Sequence, residues 1–134
     1  MRFVVGIVVV LHGLVHLLYF AQSQRFFELQ SGMVWPDGSW AFSKLLGLDA
    51  SRWLAGIACV LAALGFVAAG AGVLLAQAWW RPVIVGSAIF SAAVFAFFWN
   101  GRAQNLDDQG LFAILINAAM LISVLVFQWP DLGF

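Results

Sequence analysis

Charge is scarce in this sequence. Only 9% of its 134 residues are Asp, Glu, Lys or Arg, and six bases balance six acids. A soluble domain carries about 25% charge. No basic tract exists, which argues against a nucleic-acid partner and against polybasic recognition of anionic lipid. The single cysteine, Cys59, excludes an intramolecular disulfide, CxxC redox chemistry and a thiolate metal cluster. What fills the sequence instead is apolar. Hydrophobic residues make up 64%, against about 45–50% in soluble domains. One compact domain of this length could not hide so much apolar surface from water. The bilayer is its natural solvent.

Four apolar stretches are each long enough to cross about 30 Å of hydrocarbon. They run from about Phe3 to Ala21, Trp53 to Ala76, Trp80 to Trp99 and Leu111 to Gln128. Trp53, Trp79, Trp80, Trp99 and Trp129 mark their ends, where an apolar ring with a polar N–H sits well. Pro82 falls in the first turn of the third stretch and Pro130 stops the fourth. The expected fold is an all-α membrane protein: a single domain, residues 1–134, forming a four-transmembrane-helix bundle. Arg2 before an apolar run resembles a signal peptide, with Ala21-Gln22-Ser23 as a cleavage site. Two histidines inside the run argue instead for a retained span.

The connections are unequal. Gln77 and Ala78 join the second and third spans tightly, predicting antiparallel neighbours. Asn100 to Gly110 form a polar loop with Arg102, Asp107 and Asp108. Residues 22–52 form a long loop, expected to be partly ordered as a lid. Within it, Trp35-Pro36-Asp37-Gly38-Ser39-Trp40 predicts a short hairpin, and Phe42 to Leu48 a short interfacial helix. Ala55, Cys59 and Ala63 form a small-residue stripe for close helix packing, as do Ala58 and Ala62. Arg2 and Arg81 lie on the side of the termini, and Arg25, Lys44, Arg52 and Arg102 on the lid side, which leaves orientation open.

Polar side chains in the spans gather toward the lid. Counting along the helices places His16 about 7–8 Å deep, Cys59 and Asn117 about 9 Å, Ser91 about 12 Å and His12 about 13–14 Å. His12, His16, Tyr19 and Ser23 share one helical face. Polar groups are costly in lipid, so this face should look into the bundle toward Asn117 and Ser91. The candidate pocket comprises His12, His16, Tyr19, Cys59, Ser91, Trp99 and Asn117.

Several chemistries fit such a cluster. An HxxxH pair can present two imidazoles to one metal ion, with Cys59, Glu28 or Asp107 completing the site. One histidine could ligate haem axially, although both cannot take opposite faces of one macrocycle. Neutral histidines could equally hydrogen-bond to Asn117, Ser91 and backbone carbonyls and simply fix the first helix. The same groups could recognise a quinone carbonyl or lipid ester in a mostly apolar pocket. A Cys59–His16 nucleophile–base pair is a further arrangement, though a lone cysteine among alanines is usually inert. Asp107-Asp108 beside Asn105 form at most a weak cation motif.

Leu11-His12-Gly13-Leu14-Val15-His16-Leu17 resembles the opening helix of small uncharacterised bacterial four-helix membrane proteins with an HGLxHL motif, themselves loosely similar to DoxX-like proteins. The similarity continues through Arg52-Trp53-Leu54-Ala55, Ser91, Phe98-Trp99, Gly110 and Asn117. The chain departs from it in a longer Trp35–Trp40 segment and in Asn100-Gly101-Arg102, where an acidic residue is expected. The resemblance implies the fold and a bacterial inner-membrane location, and no activity.

The leading functional expectation is a non-catalytic integral membrane protein, an accessory subunit or homo-oligomer, that binds a lipid-like or quinone-like molecule at one membrane face. The alternatives are a metal- or haem-binding redox component using His12 and His16, and a small transporter or channel. No inverted repeat or charged span supports the last. The sequence names no cofactor.

Overall fold

The computed structural model describes residues 1–134; its regular structure is all helical, without a strand. In chain order the elements are α1 (Arg2–Ser23), α2 (Ser43–Leu46), α3 (Leu48–Leu74), α4 (Trp80–Phe97), a 3-10 turn (Leu106–Gln109) and α5 (Leu111–Leu121). The last continues as a π turn over Ile122–Val126. Helices α1, α3 and α4 are long and apolar enough to cross a membrane, and the α5 segment is shorter. Helix α3 packs between α1 and α4, and α5 lies on α4. The short connection between α3 and α4 makes them the expected neighbours.

The exposure pattern is inverted relative to a soluble protein. Phe3, Ile7, Leu11, Leu14 and Leu18 of α1 face outward, while His12, Gly13 and His16 face inward. Ile57, Leu61 and Leu64 of α3 and Phe112, Leu115 and Ile116 of α5 are likewise exposed. Apolar side chains on the outside and polar ones within suit a surrounding bilayer.

Contact between α1 and α3 rests on small residues at seven-residue intervals. Gly6 meets Gly70, Gly13 meets Ala63 and Phe20 meets Gly56. A Cβ at Gly70 would stand 2.8 Å from the Gly6 carbonyl oxygen, and one at Gly13 would stand 2.8 Å from Phe66 Cβ. The backbones therefore approach closely, as small residues permit in membranes. This seam holds α1 in the register that aims its histidines.

The lid is ordered, but not as a hairpin. Residues 24–42 form turns and bends with no strand pairing. Polar anchors fix them instead. Buried Gln22 donates from Nε2 to the Met33 carbonyl (3.2 Å) and accepts from the Leu29 N–H (2.8 Å). The Arg25 guanidinium donates to the carbonyls of Trp35 and Pro36 at 2.9 Å. Burial lowers the Arg25 pKa, nearby Arg52 adds to that effect, and Asp37 opposes it. The free carbonyls at the end of α4 receive Ser39 Oγ–H at Phe97, Trp40 Nε1–H at Ala96 and Trp40 N–H at Trp99. The lid thus caps a helix C-terminus that would otherwise leave acceptors open. The short helix predicted over Phe42 to Leu48 covers only Ser43–Leu46, because the chain turns at Gly47 (φ 82°). Helix α3 begins directly afterwards, five residues before the expected Trp53, with Asp49 in its first turn where the helix dipole favours an acid.

Candidate functional site

Four of the seven candidate residues meet in a hydrogen-bonded network between α1, α4 and α5. His12 Nε2 lies 3.1 Å from Asn117 Oδ1. Asn117 Nδ2 donates to Ser91 Oγ (2.7 Å), and Ser91 Oγ lies 2.7 Å from His16 Nε2. His16 Nδ1 lies 3.0 Å from the His12 backbone carbonyl. His16 and Asn117 are 1% and 0% exposed.

The carbonyl fixes every direction in this network. A carbonyl oxygen only accepts, so His16 Nδ1 carries hydrogen. In the neutral ring Nε2 is then an acceptor, and the Ser91 hydroxyl donates to it. The serine oxygen is left to accept from the asparagine amide nitrogen. The amide oxygen accepts from His12 Nε2–H. Four bonds run head to tail from His12 back to His12, each donor matched to an acceptor. Phe66 closes the apolar side, with ring centroids 4.6 Å from His12 and 5.3 Å from His16.

The remaining candidates lie elsewhere. Tyr19 packs edge-on against Phe95 (4.8 Å) and Trp35 (5.2 Å). Cys59 is buried in the same apolar cluster with Ala55, Val94 and Phe95. It has the depth of His16, but neither nitrogen of His16 bonds to it, so no nucleophile–base pair forms. Trp99 stands at the rim and donates to the Arg102 carbonyl (2.9 Å).

The geometry bears on two expectations. The polar side chains do not line an open pocket. Four hydrogen bonds join them to one another, and of the seven candidates Trp99 alone lines one of the larger cavities. The metal reading also loses its donor set. Both nitrogens of His16 and Nε2 of His12 are engaged, and no third histidine, cysteine or carboxylate joins them. Glu28 instead accepts from the Gly32 N–H in the lid.

A cavity does exist at the lid end, beside the network rather than within it. It is a groove of about 410 Å³ between the lid, the end of α4 and the start of α5. Trp40, Phe95, Trp99, Leu106, Leu111 and Ile114 supply its apolar wall, with Gln109 as the polar residue. Gly110 (φ 87°) turns the chain sharply between the 3-10 turn and α5, and the Phe95 ring fills the place of its missing Cβ. That turn is what sets Gln109 against the groove. A second apolar cavity of about 320 Å³ lies toward the termini, among Val9, Trp80, Ile84, Met120 and Val124.

No protein-family model matches the chain, and no curated protein or solved structure matches it either. The site is therefore read from its own geometry. Sequence reasoning overlooked Gln109 and Trp40. The aromatic flanks of the Trp35–Trp40 turn were the available signal.

Proposed function

We propose that this chain is a non-catalytic integral membrane protein of four spans that holds a lipid-like or quinone-like molecule in the lid-end groove. The observation that carries this reading is the groove itself. Its volume of about 410 Å³ and its apolar wall with one polar group match small-molecule sites. The histidine network supports the site from behind by locking α1, α4 and α5 together.

The fourth span is α5 with its π turn. Its 11 and 5 residues reach about 24 Å, short of an average bilayer core. Asn117 is bonded to α1 and α4, so α5 runs at the depth of the histidines. Local thinning of the bilayer accommodates the remaining mismatch. Small size and the lack of a catalytic constellation favour an accessory subunit or homo-oligomer over an enzyme. The resemblance of the His12–His16 segment to HGLxHL proteins supports a bacterial inner-membrane location. The transporter reading gains nothing from the interior, where the polar groups bond to one another between Phe66 and Phe95.

The test is extraction in native lipid particles, followed by mass spectrometry of co-purifying amphiphiles. Ile114→Trp places an indole in the groove. The wild type should retain a ligand that this variant loses. An identical amphiphile content in both would refute the reading.

A further inference from the structure

The helices form an open row. Helix α1 packs on α3, α3 on α4 and α4 on α5, while the backbones of α1 and α5 scarcely approach each other. The cavity of about 320 Å³ toward the termini is the cleft this leaves. Val9, Trp80, Ile84 and Val124 form its buried floor, and Val8 of α1 and Ala119 of α5 stand exposed at its rims. It therefore opens sideways, where a bilayer presents acyl chains.

The cleft has the length of one leaflet. At its inner end the His12–Asn117 bond (3.1 Å) ties α1 to α5. His12 stands about 12 Å along the axis from Val4, which lines the cleft near its mouth. Half of a hydrocarbon core is about 15 Å. No α1 residue lines the larger cavities on the lid side of that bond. A cleft that runs from the interface toward the midplane and stops there fits an acyl chain. A spanning helix from a second copy would need a seam through both leaflets, which the bond interrupts.

The mouth carries a cation. The Trp129 N–H reaches back to the Ser123 carbonyl (2.9 Å) and folds the tail over the end of α5. Arg81 Nη2 donates to the Gln128 and Pro130 carbonyls at 3.1 Å, and its guanidinium lies 5.2 Å from the Trp80 ring centroid. Trp80, Trp129 and Pro130 all line the cleft, so the charge stands at its edge. Asp131 follows Pro130 but forms no ion pair with Arg81.

We propose that the cleft between α1 and α5 holds one acyl chain of a membrane phospholipid, with the lipid phosphate beside Arg81. The chain supplies the van der Waals contacts that the walls of an empty cleft lack. The guanidinium gives the phosphate a fixed partner. The inference rests on the four-span placement proposed above and is independent of the lid-end groove.

The protein is reconstituted with equal amounts of dioleoylphosphatidylglycerol and dioleoylglycerol, re-extracted in dodecyl maltoside and weighed by native mass spectrometry. The wild type should retain one phospholipid per chain in preference to the diacylglycerol. Val8→Trp and Ala119→Trp set an indole at each rim and should each lose that lipid. Ile114→Trp, in the lid-end groove, should keep it. Protection of Cys59 from maleimide shows that a variant is folded, and Val8→Phe or Ala119→Phe replaces any rim variant whose Cys59 reacts. Arg81→Gln should reduce the preference for phospholipid about 2- to 5-fold, the range of an exposed ionic contact. No retained phospholipid in the wild type, or its retention by both rim variants, would overturn the cleft site. Equal retention of the two lipids by the wild type would overturn the phosphate contact. Termini found on opposite sides of the membrane would overturn the four-span placement on which the cleft depends.

Discussion

Replacing Asn117 with alanine removes the joint on which the interior network turns. Two hydrogen bonds end on its amide, one from His12 and one to Ser91. In water, a buried donor left without a partner would cost about 1–3 kcal/mol. Inside a membrane the unfolded helices find other partners, so each interhelical bond contributes about 0.6 and at most about 1.7 kcal/mol. The membrane value governs here, and Asn117→Ala should destabilise the bundle by about 1–3 kcal/mol. That raises the unfolded population about 5- to 150-fold. The protein carries its own probe: Cys59 is the single cysteine and is 0% exposed. Pulsed maleimide labelling across an SDS titration in mixed micelles reads the unfolded fraction directly. The cycle with Ser91→Ala isolates the shared bond, and the coupling should be about 0.6–1.7 kcal/mol. His12→Ala with Ser91→Ala tests the ring more severely, because the two side chains do not bond to each other and are linked through Asn117 and His16. Their coupling should exceed about 0.5 kcal/mol, the usual limit for independent sites. Additive losses in both cycles would refute the head-to-tail network.

Gly70→Val should destabilise by about 1–3 kcal/mol, the range for overpacking, since its Cβ would meet Val10 at 2.5 Å and the Gly6 carbonyl at 2.8 Å. Gly86→Ala is the control, with nothing within 4 Å, and should be neutral or stabilising by up to about 1 kcal/mol. Equal effects in the same labelling assay would refute the seam. The proposed four spans would put both termini on one side. Single cysteines at Arg2 and Phe134, each in a Cys59→Ala background, should react with an impermeant maleimide from the same side of right-side-out vesicles. Opposite accessibility would remove α5 from the set of spans.

The network was legible because helical geometry is. Spacing put His12 and His16 on one face, and depth counting brought Ser91 and Asn117 to the same level. Cys59 shares that level and still stands apart, since depth does not fix the direction a side chain points around the bundle. The glycine seam was visible only in halves. Gly6 and Gly13 lie seven apart, as do Gly56, Ala63 and Gly70, but only antiparallel pairing shows that the halves match. Gln22 and Gln109 were missed for another reason. Their partners are backbone carbonyls and amides of the lid, which carry no sequence signature. The lid boundaries moved for a local cause, the turn at Gly47 that allows α3 to start early.

The distribution of polar contacts separates the interior ring from the lid end. The ring closes on itself through four bonds, so its role is to fix helices. The buried polar atoms without partners are Trp35 Nε1, Arg52 Nε and Gln109 Oε1. All three lie at the lid end, and of them Gln109 borders the groove. Buried groups of this kind are rare in folded proteins, because each one costs free energy that nothing in the fold returns. The ring spends its bonds inside the fold, whereas Gln109 is tied to the lid through the Val34 carbonyl and keeps its unpartnered oxygen closed off from solvent where the lid meets the start of α5.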